Sequence, residues 1–112
     1  MTKVKRGILF TFSVKTEKFK TPSERTTFFR KLYGWKQVVT NDEKTYEYER
    51  PGIIDDVPHE KVDQSSFIVP EHDIDEIMDF FEHWSNKVMF RTFKVLLDDD
   101  ISKMFDEFEV DE

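Results

Sequence analysis

The sequence predicts an α+β fold in one domain, residues 1–112. Three observations carry this expectation. Residues 7–14 alternate their side chains with the period of a strand. Residues 21–35 and 73–86 repeat apolar side chains with the period of a helix. Short extended segments lie between and after these helices, each closed by a turn or a proline.

The first strand sets Ile8, Phe10, Phe12 and Val14 on one face and Leu9, Thr11 and Ser13 on the other, the pattern of a central strand. The helix that follows has both ends written into it. Thr21 is a hydroxyl N-cap, and Pro22 stands at the first helical position, where its missing N–H is no loss. Glu24 completes a capping box three residues after Thr21. Phe28, Phe29, Leu32 and Tyr33 share the apolar face. Arg30 and Lys31 fall in the last turns, where cations favour the carbonyl end, and Gly34 supplies the left-handed residue that stops the helix.

Residues 35–40 return to extended structure, 41–44 form a polar turn, and 45–50 alternate Tyr46 and Tyr48 with Glu47 and Glu49 as the return strand of a hairpin. These tyrosines suit base stacking, but half-buried strand aromatics are the plainer expectation. Pro51-Gly52 ends the strand. Residues 53–62 show no period and contain Pro58, so a loop pinned by Ile53, Ile54, Val57 and Val62 is expected. Residues 64–69 form a short strand stopped by Pro70. In the second helix, 73–86, Ile74, Ile77, Met78, Phe81 and Trp84 follow the helical period, and Asp73, Asp75 and Glu76 crowd the first turn. Residues 88–97 are a long strand with apolar side chains on both faces. Asp98, Asp99 and Asp100 then cap a short C-terminal helix striped by Ile101, Met104, Phe105 and Phe108.

This order fits a split βαβ, ferredoxin-like sheet with two helices on one face, an inserted hairpin and loop, and a short C-terminal helix. Phe10, Phe12, Phe29, Leu32, Ile77 and Phe81 are then expected in one core. Arg25, Arg30 and Lys31 would face Asp75, Asp79 and Glu82 across the groove between the helices. The opposite sheet face, with Met89, Phe93 and Val95, wants cover, so a homodimer is expected.

Charge is unevenly distributed. Residues 1–36 hold ten Lys or Arg against two Glu, whereas 51–112 hold five basic against eighteen acidic residues, within a net charge of -7. A basic segment of this kind suits phosphate or nucleic acid, unless the acidic remainder neutralises it in the fold. The chain has no cysteine, so disulfides, thiolate zinc sites and cysteine nucleophiles are excluded. No apolar run reaches the ~18–20 residues that span a bilayer. The short apolar run near the N-terminus reads as a strand rather than a signal peptide, and the default expectation is a cytoplasmic protein without membrane contact.

Gly7, Gly34 and Gly52 stand alone, so there is no glycine-rich phosphate loop. His59 with Asp55 and Asp56, His83 with Asp79, and the run Asp98 to Asp100 are metal-ligand types. A solvated loop, a solvated helix face and a helix cap explain them better, and neither a metal site nor a cofactor is expected. The anion signal is stronger. Lys15, Lys18 and Lys20 precede a helix N-terminus at Thr21 and Ser23, with Arg25 in its first turns. Unpaired N–H groups beside lysines suit phosphate.

Three segments carry a resemblance: FTFSV (10–14), RKLYGW (30–35) and SSFIV (65–69). With the order of elements they resemble the small CRISPR-associated ferredoxin-fold family, the endoribonuclease-like structural subunit of spacer integration. That family's pattern has an aspartate at the end of the first strand, an arginine-bearing helix ending in Tyr-Gly, and Ser-x-Phe in a later strand. Ser13 stands where the aspartate would bind a catalytic metal, and residues 40–61 are an insertion. A second resemblance, in FFRKLYGWK (28–36) and DIDEI (73–77), is to the glyoxalase/bleomycin-resistance superfamily, although residues 7–14 hold no His or Glu to act as its metal ligand. The expected function is a small dimeric interaction or regulatory module, leaning away from an enzyme. It would engage nucleic acid or a phosphate-bearing partner through residues 15–31. The alternative is a glyoxalase-like enzyme or a divergent metal-dependent nuclease.

Overall fold

Alternation in Arg6–Val14 produces β1, the strand on which the main sheet is built. The structure, a computed structural model, describes residues 5–110. On one side β1 pairs with β5 (Ser66–Pro70), and β5 in turn pairs with β4 (Glu60–Asp63). On the other side β1 pairs along its whole length with β6 (Val88–Leu96). The order is β4-β5-β1-β6, and every neighbouring pair is antiparallel. Phe10 stands opposite Phe67 and Thr92, and Phe12 opposite Phe90, so Ile8, Phe10, Phe12, Phe67, Val69, Val88 and Phe90 share one face. Leu9, Ile68, Met89, Phe93 and Val95 share the other.

Two helices cover the first face, α1 (Pro22–Tyr33) and α2 (Asp75–His83). Both deliver rings to the same place. Phe81 lies 5.6 Å from Phe10 and 5.2 Å from Phe12, and Phe28 lies 5.8 Å from Phe12 and 6.1 Å from Phe81. Phe10, Phe28, Leu32, Phe67, Ile77 and Phe81 are wholly buried. Each such side chain contributes about 1.5–3 kcal/mol through removal from water. The fold is therefore mixed α+β with antiparallel sheets, as predicted. The core differs in one ring: Phe28 takes the central place expected of Phe29, which is only half-buried beside it.

After α1 the chain forms a separate two-stranded ribbon, β2 (Gly34–Asn41) with β3 (Lys44–Pro51). Its root is tight. Gly34 has φ 81, and a Cβ there would stand 2.5 Å from the Arg50 carbonyl oxygen. A Cβ on Gly52 would collide with the Leu32 carbonyl and the Gly34 nitrogen. Gly34 thus ends α1 at positive φ, as expected, and also permits two backbones to touch.

Residues 53–62 are not a simple loop. A 3-10 turn at Ile53–Asp56 buries Ile54, and Glu60–Asp63 form β4. Pro58 precedes that strand, which is why the segment has no period overall, and Val62 is exposed rather than pinned. Helix α2 is shorter than the segment 73–86, because Glu71–Asp73 is a 3-10 turn and the chain turns again after His83. The last helix, α3 (Asp99–Val110), is as long as α1 rather than short. Asp98 caps it, its carboxylate accepting the Ile101 N–H at 3.0 Å. Phe105 is wholly buried but stands outside the cluster beneath α1 and α2. On the second sheet face a Cβ at Gly7 would stand 2.9 Å from both the Ile68 and the Leu97 side chains. Leu9, Ile68 and Val95 are partly buried on that face. Met89 and Phe93 remain about half exposed, at 51% and 48%.

Candidate functional site

The N-terminus of α1 is filled from within the chain. Thr21 accepts the Glu24 N–H through its hydroxyl at 3.2 Å, as an N-cap should. The Glu24 carboxylate reaches one residue further back than a capping box requires and accepts the Lys20 N–H at 3.0 Å. The same oxygen, Oε1, accepts a hydrogen bond from the Lys87 ammonium at 2.5 Å. The Lys87 hydrogen bond first, and the Lys20 N–H second, hold the Glu24 carboxyl below its ordinary pKa of 4.5. Lys87 sits beside the Phe19 and Trp84 rings, 5.9 Å from each centroid, so its charge is shielded on the apolar side.

The predicted anion residues fall around this pair without converging on it. Lys15 is half-buried, its backbone N–H donating to the Lys87 carbonyl at 2.8 Å. Lys18, Lys20, Thr21 and Ser23 are exposed, and the Ser23 carbonyl accepts the Thr27 hydroxyl. Arg25 lies with its guanidinium 4.9 Å from the Phe29 ring centroid. Lys87 went unforeseen because it stands 63 residues from Glu24 in a turn with no local pattern. The expected neutralisation between helices does not form. Among the described residues no ion pair joins Arg25, Arg30 or Lys31 to Asp75, Asp79 or Glu82. Arg25 and Arg30 lie over aromatic rings instead.

The second assembly of cations and rings is at the root of the ribbon. Register places Trp35, Gln37 and Val39 of β2 opposite Arg50, Tyr48 and Tyr46 of β3, so these six share one ribbon face. Arg30, from the last turn of α1, lies 3.9 Å from the Trp35 centroid. Arg50 donates from Nε to the Gln37 side-chain oxygen at 2.7 Å and lies 5.5 Å from the Tyr48 centroid. Tyr46 and Tyr48 are 44% and 46% exposed, half-buried as strand aromatics are expected to be, with the rest of each ring open to solvent. The opposite ribbon face carries Lys36 paired with Glu47 at 3.6 Å. The basic segment and this aromatic face thus occupy the two ends of α1, about 18 Å apart along a twelve-residue helix.

Tyr33 serves structure. Its hydroxyl donates to the Gln64 carbonyl at 2.6 Å, and burial, with the Asp63 charge second, pushes the phenol above its ordinary pKa of 10.0. The other candidates resolve as local contacts. Asp55 accepts the Gly52 N–H, His59 Nδ1 lies 3.0 Å from the Val57 carbonyl oxygen, and Asp98 is a cap. Among the described residues no three His, Asp or Glu side chains gather as a metal site would require. No helix among them is long and apolar enough to cross a membrane. Comparison of the chain with protein-family models, with curated proteins and with solved structures finds no match.

Proposed function

We propose that the protein is a small two-copy interaction module, built on a ferredoxin-like split βαβ sheet, that engages single-stranded nucleic acid. The order β4-β5-β1-β6, with antiparallel neighbours and both α1 and α2 on one face, supports the fold reading; the ribbon β2–β3 is its insertion. The observation that carries the function is the ribbon face. Tyr46 and Tyr48 lie open to solvent, with Trp35 at the root and Arg30 and Arg50 beside the rings. Rings beside guanidinium groups stack on any base, at about 1–3 kcal/mol per base, and the cations answer the backbone phosphates. The phosphate role of Lys15, Lys18, Lys20 and Arg25 is carried in this reading by side-chain charge, since Glu24 already occupies the helix end.

The test is titration of the protein with single- and double-stranded oligonucleotides at low and moderate salt. Binding is expected to favour single strands and to weaken as salt rises, because phosphate contacts release counterions. Tyr46→Ser with Tyr48→Ser is expected to lower affinity about tenfold or more at every salt concentration, by the loss of stacking. Lys18→Ala with Lys20→Ala is expected to flatten the salt dependence instead. An absence of binding at low salt sinks the nucleic-acid reading and leaves the partner to be another protein surface.

A further inference from the structure

The two edges of the main sheet are built differently. β4 is four residues long, carries Glu60, Lys61 and Asp63, and breaks register between Lys61 and Asp63. Short length, charge and irregularity are the devices by which a sheet refuses another strand. β6 is nine residues long, regular along β1, and exposed at Met89, Phe93 and Leu96, the last at 83%. Among the described residues no strand pairs with its outer side. A long, regular edge, apolar at six of its nine positions with Arg91 and Lys94 between them, presents a row of free N–H and C=O groups for another strand.

The sequence of β6 identifies the strand that fits. We infer that β6 pairs antiparallel with β6 of a second copy across a two-fold axis at Thr92, joining two four-stranded sheets into one. This gives a surface to the two-copy assembly proposed above and rests on that reading. In this register Thr92 meets its own copy, Arg91 meets Phe93, Phe90 meets Lys94, Met89 meets Val95, and Val88 meets Leu96. The two outer pairs are apolar on apolar. The inner pairs set each cation against an aromatic ring, which attracts it. No like charges stand directly opposite, where they would repel. Centring on Arg91 would oppose two guanidinium groups, and centring on Phe93 would leave Val88 and Met89 without partners in the strand. A two-fold contact makes the same patch serve both copies, as a self-complementary strand requires.

The chain has no cysteine, so a single introduced thiol reports without background. Residues directly opposite across an antiparallel pair have Cα atoms about 4.5–5.5 Å apart, within the roughly 4.4–6.8 Å a disulfide spans. Thr92 is exposed, so Thr92→Cys is expected to fold and to cross-link to a covalent dimer under mild oxidation. Lys94→Cys, on the same face, would stand about 13 Å from its own copy, four residues along the strands, and is expected to remain uncross-linked. Thr92→Lys sets two ammonium groups together at the axis and is expected to raise the dimer dissociation constant at least tenfold in sedimentation, with an unchanged circular dichroism spectrum. Equal cross-linking of the two cysteine variants overturns the register. A dimer that survives Thr92→Lys but is lost with Phe93→Lys overturns the edge and assigns the contact to the second sheet face. A wild type that stays monomeric at high concentration overturns this inference and the two-copy reading together.

Discussion

β1 and β3 are both period-two strands with two aromatic residues on one face, and they end in opposite environments. Phe10 and Phe12 in β1 are buried, at 0% and 5% exposure, while Tyr46 and Tyr48 in β3 stand in solvent. The strands differ in what the rest of the chain brings to them. β1 has a neighbour on each side and two helices on one face. β3 has β2 alone, and no residue of β3 is buried. Alternation specifies that a strand forms and which side chains share a face, but cover comes from segments distant in sequence. A strand whose apolar alternation is left uncovered is the place to look for a partner.

The largest expected effect lies on the covered side of that comparison. Phe81 touches Phe10, Phe12, Phe28, Phe67 and Phe90, with ring centroids between 5.2 and 6.2 Å. Phe81→Ala is expected to cost about 3–5 kcal/mol of stability, read as a lowered urea midpoint at unchanged slope. A loss below about 1 kcal/mol would mean that the helices do not meet over β1 as described.

The next effect lies at the junction of the two regions. Gly34 passes the chain from α1 to the ribbon at φ 81, with the Arg50 carbonyl in the space a Cβ would take. Gly34→Ala combines a conformation that L residues avoid with a backbone collision. The expected cost is about 1–3 kcal/mol, and hydrogen exchange should show lost protection in β2 and β3 before the core. If protection fell evenly over both regions, the ribbon would be part of the core's cooperative unit rather than an appendage.

How much of this was legible in the chain follows from which interactions are local. Caps, turns and periods are local, so α1, the hairpin and β6 stand where the residues place them, with Thr21 capping α1, and α2 lies within its predicted segment but is shorter at both ends. β4 was missed because its four residues pair across a bulge and follow a proline, leaving no alternation to read. The period alone does not separate Phe28 from Phe29, because adjacent residues on one helix face are distinguished only by where the sheet lies. The candidate site shows the same division. Lys18, Lys20 and Thr21 are contiguous and were found together, but Lys87 arrives from the far side of α2. The proposed balance of Arg25, Arg30 and Lys31 against α2 carboxylates failed for a further reason. Net charge says nothing about reach, and rings at Phe29 and Trp35 lie close enough to take two of those cations.

The smallest expected effect is on the uncovered side, and it is the sharpest test of what the ribbon is for. In the isolated chain Tyr46 meets Val39 and Tyr48 meets Gln37 across the ribbon, and neither packs on the core. Cross-strand pairs of this kind contribute roughly 0.2–1 kcal/mol each, and a two-stranded ribbon adds little stability by itself. Tyr46→Ser with Tyr48→Ser is therefore expected to lower global stability by less than about 1 kcal/mol, leaving the core fluorescence and the urea slope as in the wild type. Denaturation at two protein concentrations a hundredfold apart separates the remaining cases. A small loss independent of concentration fits rings held out for an external ligand. A loss above about 2 kcal/mol that grows with concentration would mean the tyrosines are already covered in a second copy. Then β3 would resemble β1 after all, with its cover supplied between chains rather than within one.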